Sequence, residues 1–311
     1  MTVGKIRKAT RSEAKPLIGL FSLSGAGKTK SALLLARGFA GDAGRIAMIE
    51  TEAGRGEVFA DEIPGGYDVI SIRDDFSPQA YSDALTEAEK AGVRAVIIDS
   101  ASHEWEGLGG VLDQAAENMR NGKKSMLAWQ GPKMDHAKHF MLRLLQTPIP
   151  LVVVCMRAKY PMEEAVGANG KKEWRRSTDL EPKQSEDILF ELMVHGWISP
   201  GDHNFHGTKY TSDSFRPVLR DGEPISIATG KRLAEYASGL VRKETPPPVP
   251  ADAKPPQQDP EQQRLDDIAR IGPDAGDKQF GWVERSLRTE KRQVVLDALS
   301  AKREEIMAHR A

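Results

Sequence analysis

"FSLSGAGKTKSALLLARGFAG", residues 21–41, decides how this chain folds and raises the question of what it binds. An apolar run turns through Ser24-Gly25-Ala26-Gly27 and opens a helical pattern at Lys28. In such a turn the backbone N–H groups and the helix N-terminus point at phosphate oxygens. The usual spacing of this cradle is Gly, four residues, then Gly-Lys-Ser/Thr. Here Ser22 stands where the first glycine is expected, ahead of Gly27-Lys28-Thr29. That position needs a small residue at the strand exit, and serine is small. The departure lowers the motif's specificity without breaking its mechanics. The Lys28 ammonium can reach β and γ phosphates, and the Thr29 hydroxyl can sit on Mg²⁺. The competing reading is an ordinary glycine turn before a helix, and Gly-Lys-Thr at this junction argues against it.

Outward from the turn, buried strand-like runs alternate with helical stretches. LIGLFS precedes it and KSALLLARGFA follows; RIAMIE, VISI, RAVIIDS and PIPLVVVCMRA read as further strands, with PQAYSDALTEAEKAG helical among them. β-Branched runs separated by helices predict an α/β fold with a mostly parallel sheet covered on both faces. Past Ala158, EEAVGANGKKEWRR reads as two extended pieces around an Asn-Gly turn. ILFELMVHGWI, FRPVL and PISI suggest added strands, and ATGKRLAEYASGLV a closing helix.

RAVIIDS ends in Asp99, and an acid at that strand end suits a Mg²⁺ held through water. MIETEAGRG places Glu52 just past the second strand, where a carboxylate can polarise an attacking water. Glu50 competes for that role, and either acid could simply be solvated.

Five bases, Lys5, Arg7, Lys8, Arg11 and Lys15, against Glu13 alone mark residues 1–15 as a basic tail, either solvated or a phosphate-backbone arm. The predicted core covers 16–240. Residues 241–263 are a proline-rich linker, and 264–311 a small C-terminal helical unit of balanced charge. The formal net charge of −1 leaves nucleic-acid binding to local patches. A lone cysteine, Cys155, excludes an internal disulfide framework. With no membrane-spanning run and no signal-peptide core, a cytoplasmic location is expected, that of a bacterial host if the chain is phage-encoded.

With SGAGKT, MIETE, VIIDS and VVVC followed by Met156-Arg157-Ala158-Lys159, residues 16–240 resemble the RecA-like P-loop ATPases. DSASHEWEGLGG, RAKY, GANGKKEWRR, DLEPKQSEDILFELMVHGWI and ISIATGKRLAEYA narrow the resemblance. They point to RecA-like ATPases of bacteriophages, some of which are single-strand annealing recombinases. The resemblance implies a RecA-like core with ATP and Mg²⁺ as cofactors. Ser24, Gly25, Ala26, Gly27, Lys28, Thr29 and Lys30 would hold the nucleotide, with Thr29 and Asp99 on the metal and Glu52 as the catalytic acid. It implies a homo-oligomer, ring or filament, with ATP between subunits and a basic finger from the neighbour. Lys209 lies near where the family carries a Lys-Asp-Arg run, but Tyr210 and Thr211 follow it here. Arg157 and Lys159 are alternative γ-phosphate sensors, or else a solvated strand-end pair.

The resemblance also implies DNA-contacting loops after the fourth and fifth strands. Arg120, Lys123, Lys124 and Lys133 follow the fourth; Lys171, Lys172, Trp174, Arg175 and Arg176 follow the fifth. Cations interleaved with an aromatic suit single-stranded DNA, through phosphate neutralisation and base stacking. A charged hairpin with its tryptophan packed down is the alternative. The expected function is ATP hydrolysis stimulated by single-stranded DNA in recombination or annealing. The C-terminal unit would recruit a single-strand-binding protein or a helicase. A helicase-loading or packaging motor and a nucleotide-gated interaction module are the rivals. Among weaker candidates, His103 and Glu104 read first as a helix start capped by Ser102. Asp202, His203 and His206 read as a polar turn rather than a zinc site. His136 and His139 share a helix face with no acid partner placed, and Trp282 reads as core.

Overall fold

Leu17–Ser22 forms β1, buried along its whole length. Its apolar run can satisfy the backbone only inside a sheet. The computed structural model describes residues 15–166, 172–239 and 293–310, with single positions 6, 8, 265, 268, 271, 283 and 286. The chain divides into two compact units, Met1–Lys243 and Glu244–Ala311.

In the first unit, α1 (Lys28–Ala40) leads to β2 (Ile46–Glu50), β3 (Asp68–Ser71), α2 (Pro78–Lys90) and β4 (Ala95–Asp99). Four helices follow: α3 (Ser102–Glu106), α4 (Val111–Arg120), α5 (Ser125–Asp135) and, after a π-helical segment at His136–Met141, α6 (Leu142–Gln146). Then come β5 (Leu151–Lys159), β6 (Met162–Val166), β7 (Lys172–Arg176), β8 (Glu181–Pro182) and α7 (Glu186–Glu191). β9 (Val194–Ile198), β10 (Asn204–Tyr210), β11 (Glu223–Pro224) and α8 (Ile227–Ala237) complete it. Nine strands form one sheet, ordered β11-β10-β9-β1-β5-β4-β2-β3, with β8 against β5. β9, β1, β5, β4, β2 and β3 run parallel, and β10, β11 and β8 are antiparallel additions. The predicted α/β fold with a mostly parallel sheet is the fold observed.

Each face of the sheet has its own core. Leu33, Leu35 and Phe39 of α1 join Leu233 and Tyr236 of α8 on one side. Tyr81 and Leu85 of α2, Phe140 of the π-helical segment and Ile188 of α7 fill the other. α1 and α8 meet backbone to backbone: a Cβ on Gly38 would lie 2.0 Å from the Ile227 carbonyl oxygen. The glycines at that crossing are therefore packing residues.

Three stretches differ from their predicted strands. ILFE is part of α7, because Ser185 precedes it and Glu186 and Asp187 favour a helix N-terminus. FRPVL begins within a 3-10 turn at Asp213–Phe215, and Pro217 has no N–H for a ladder. PISI contributes only Pro224 to a strand. Ser226 and Thr229 form a capping box that starts α8 at Ile227. EEAVGANGKKEWRR does form the antiparallel pair β6–β7; its predicted Asn-Gly turn lies outside the described residues, as do the linker and Trp282. Of the basic tail, Lys15 Nζ donates to the Thr147 carbonyl at 3.0 Å.

In the second unit, α9 (Gln293–Arg310) packs Val295, Leu299 and Ile306 against Ile268, Ile271 and Val283. Among the described residues no helix is long and apolar enough to cross a membrane.

His195 makes the fold pH-sensitive. It lies buried in β9, its Nδ1 without a hydrogen-bond partner. Burial, helped by the Lys209 charge, lowers its pKa to about 4. The unfolded chain, with an ordinary value near 6.5, then binds more protons between those limits. The stability held above pH 6.5 is lost as pH falls toward 4. Urea titrations should show a loss on the order of 2 kcal/mol between pH 7 and pH 4. His195→Leu should flatten that part of the profile; an unchanged slope would refute the assignment.

Candidate nucleotide site

The turn after β1 opens at the C-terminal end of the sheet, beside the ends of β4 and β5. Gly25 and Gly27 adopt φ of 82° and 92°, conformations that exclude most side chains. Gly27 caps α1 and its backbone turns directly into the helix. Ser22 is the last residue of β1, is buried, and has no positive φ. Its hydroxyl donates to the Leu23 carbonyl at 3.0 Å. Glycine is thus not needed at that position, and the serine leaves the cradle intact.

A cleft of about 890 Å³ opens over this turn. Ser22 to Lys30 form its floor, Glu52, Arg157 and Lys183 line one part, and Arg55, Val58 and Phe59 another. On the floor, Thr29 Oγ1 donates to Asp99 Oδ2 at 2.5 Å, and Lys28 Nζ lies 3.3 Å from Asp99 Oδ1. That Oδ1 is buried and accepts no hydrogen bond, leaving the Lys28 charge as its compensation. A buried carboxylate oxygen short of donors, beside a threonine hydroxyl, fits a hard divalent cation such as Mg²⁺. Burial acts to lower the Lys28 pKa, but Asp99 and Glu52 outweigh it and the net shift is upward. Lys28 stays cationic, as a phosphate ligand must. The Asp99–Ser100 peptide is cis.

The geometry separates the two acids of MIETE. Glu50 is 1% exposed, and its carboxylate accepts from the backbone N–H groups of Glu52 (2.6 Å) and Gly54 (3.1 Å) and from Arg73 (2.6 Å). It holds the turn after β2. Glu52 instead lines the cleft, its Oε1 accepting from Arg157 Nε at 2.9 Å, with Arg55 3.7 Å from Oε2. Arg157 therefore reaches the cleft from β5, whereas Lys159 is exposed and faces Glu181 at 3.8 Å. Lys30 lines the cleft and pairs with Glu62. Lys209 does not line it: its ammonium donates to the carbonyls of Leu189 (2.9 Å) and Phe190 (2.7 Å) at the end of α7.

Behind Asp99 the structure corrects two readings. Ser102 is not the cap of α3; Ala101 occupies that position, and Ser102 Oγ accepts from the Arg157 N–H at 2.9 Å. Glu104 does lie in the first turn of α3, and it is fully buried. It lies 2.9 Å from His136 Nδ1 and accepts from Gln184 at 3.2 Å. His136 thus has an acid partner, invisible in sequence because 32 residues separate the two. His103 bonds Thr51 Oγ1 at 2.7 Å, and burial, then Arg157, lowers its pKa.

Sequence reasoning assigned no role in the cleft to Arg55, Val58 and Phe59, nor to Lys183 and His203. Lys183 lies there with its ammonium 3.2 Å from Glu106. His203 arrives from the β9–β10 turn, its Nδ1 2.9 Å from the Ala26 carbonyl oxygen. Its motif, GDHNFHG, signalled only a turn with metal-ligand types. Among the described residues no three such groups gather for a metal, and His206 stacks on Trp197 at 4.3 Å.

None of the predicted DNA contacts among the described residues lines the cleft. Arg120 ends α4, 4.0 Å from Asp113; Lys123 bonds Asn118 at 2.7 Å; Lys124 precedes α5. Lys133 lies over the Trp129 ring at 5.8 Å. Lys172 and Arg175 face Glu164 (3.0 Å) and Glu163 (2.9 Å) across the hairpin, and Arg176 covers Tyr160. Trp174 is 71% exposed and does not pack down. Lys171 lies outside the described residues.

No curated protein matches the chain. A family model described as an AAA domain matches residues 14–192, which include the cradle, Glu52, Asp99 and Arg157. A glycine cradle with Lys28 and Thr29 against Asp99 fits the phosphate and metal end of a P-loop nucleotide site. With that match over more than half its length, the chain belongs to the AAA-domain family of ATP-binding P-loop ATPases.

Proposed function

We propose that this ATPase couples its nucleotide cycle to single-stranded DNA, in strand annealing or recombination of the kind carried out by phage RecA-like proteins. One observation carries the proposal. β5 bears Arg157, which holds Glu52 in the cleft, and runs on into the hairpin that exposes Trp174. A base stacked on Trp174, with phosphates drawn to Lys172, Arg175 and Arg176, would pull on the strand that holds the catalytic carboxylate. Surface ion pairs such as Lys172–Glu164 are worth little and give way to phosphate at small cost.

In this reading Lys28 and the N–H groups of Ser24 to Thr29 bind the β and γ phosphates. Thr29 and Asp99 would hold Mg²⁺, which would supply neutralisation of charge on the phosphoryl oxygens. Glu52, once released by Arg157, orients the attacking water and takes its proton. Arg157 is then placed to meet negative charge on the γ phosphate. A neighbouring copy would supply a further cation, and the C-terminal unit would recruit a single-strand-binding protein or helicase.

ATP turnover measured with and without single-stranded DNA tests the proposal. Turnover should rise with DNA, and Trp174→Ala should remove most of the stimulation, at about 1–3 kcal/mol per lost stacking contact. ATP hydrolysis indifferent to DNA would favour a second reading, a nucleotide-gated protein-interaction module or motor. Three exposed apolar side chains on one helix, Met126, Leu127 and Met134 of α5, suit a protein contact and support that alternative.

A further inference from the structure

We propose that His203 is a positioning residue of the nucleotide site, bracing the phosphate cradle from outside the cradle's own motif. The inference rests on the nucleotide reading of the cleft. Ala26 presents a carbonyl oxygen, which can only accept, so the ring must carry its proton on Nδ1 and donate. The ring also covers Gly27: a Cβ there would lie 3.0 Å from His203 Nδ1 and 3.4 Å from Cγ. The histidine therefore clamps the two residues at which the turn becomes α1. It does so at the point where the N–H groups must converge on phosphate.

The supporting loop is built to hold it. His203 sits at φ 58°, in the left-handed region, uncommon for residues other than glycine although histidine is enriched there with asparagine and aspartate. Its own N–H donates to the Ser199 carbonyl at 3.1 Å. Asp202 ties the turn on both sides, accepting from the Asn204 N–H at 3.1 Å, from the Asn204 amide at 3.0 Å, and from the Ser199 hydroxyl. The Ser199 bond and the Asn204 N–H bond lower the Asp202 pKa and keep this clasp ionised at neutral pH. A strained residue held by three neighbours, with its ring on the cradle, is over-determined in the way functional loops are. The hairpin also joins β9, next to β1, so cradle and brace hang from adjacent strands.

Pre-organising the turn means that ATP need not order it, so the brace acts on affinity more than on the chemical step. The test compares His203→Gly, which removes the donor yet tolerates φ 58°, with His203→Asn. Asparagine also tolerates that conformation and places an amide donor where Nδ1 was. ADP and ATP affinities, KM and kcat would be measured on the full chain, with Lys28→Ala as the non-binding control. His203→Gly should raise KM and Kd on the order of tenfold, the loss of one hydrogen bond and its ordering. Its kcat should change by less than about threefold, and His203→Asn should restore affinity. Wild-type affinity in His203→Gly, or equal loss in both variants, would overturn the inference. A wild type that binds no better than Lys28→Ala would overturn the nucleotide reading and this inference together.

Discussion

Glu52→Gln should slow ATP hydrolysis by about 10²–10⁴-fold, the range for losing a positioned general base. Nucleotide affinity should stay near that of the wild type. The separation follows from geometry. Glu52 lines the cleft but belongs to the turn after β2, whereas Lys28, Thr29 and Asp99, the group proposed to hold phosphate and metal, contact one another on its floor. Glutamine keeps the Oε1 acceptor for Arg157 and is tolerated sterically, so the fold should survive. Single-turnover hydrolysis and binding of a fluorescent ADP measure the two effects separately. Turnover within threefold of wild type would remove Glu52 from the mechanism. Glu50 could not readily replace it, because three hydrogen bonds already commit its carboxylate to Glu52, Gly54 and Arg73.

Lys28→Ala is expected to reduce nucleotide affinity by more than about 100-fold, since a charge-assisted contact and its long-range attraction are both lost. It should also destabilise the protein without ligand. Asp99 is 4% exposed, and Lys28 is the cation beside its Oδ1. Removing one partner of a buried pair costs about 3 kcal/mol, chiefly the price of stranding the other charge. Adding Asp99→Asn to Lys28→Ala should therefore recover part of the urea midpoint while leaving binding abolished. If Lys28→Ala unfolds at the wild-type midpoint, water rather than Lys28 compensates Asp99.

The legible part of this protein is the part whose physics is local. The cradle could be read because a turn with Gly25 and Gly27 at positive φ, followed by Lys28 and Thr29, needs those residue types within a few positions. Unbroken apolar runs marked β1, β4 and β5, since a strand buried on both faces has no polar alternation to obscure it. The added region read less well. FRPVL and PISI carry strand-like composition, but a proline without a donor and the Ser226–Thr229 capping box decided otherwise. The sequence favours Glu52 over Glu50 by its place just past the strand end and by the family resemblance, not by any partner. The partners Arg73 and Arg157 are brought to the two acids from 23 and 105 residues away.

By itself, then, the sequence determined the α/β class, the strand-to-helix cradle and the acid at the end of β4, because each depends on residues adjacent along the chain. Tertiary structure alone decided which partners hold the two acids of MIETE, Arg73 for Glu50 and Arg157 for Glu52. It also decided that Glu104 is buried against His136, and that His203 closes on Ala26 and Gly27 from 177 residues away. Those contacts join elements far apart along the chain, and no spacing in the sequence records which side chains will meet there.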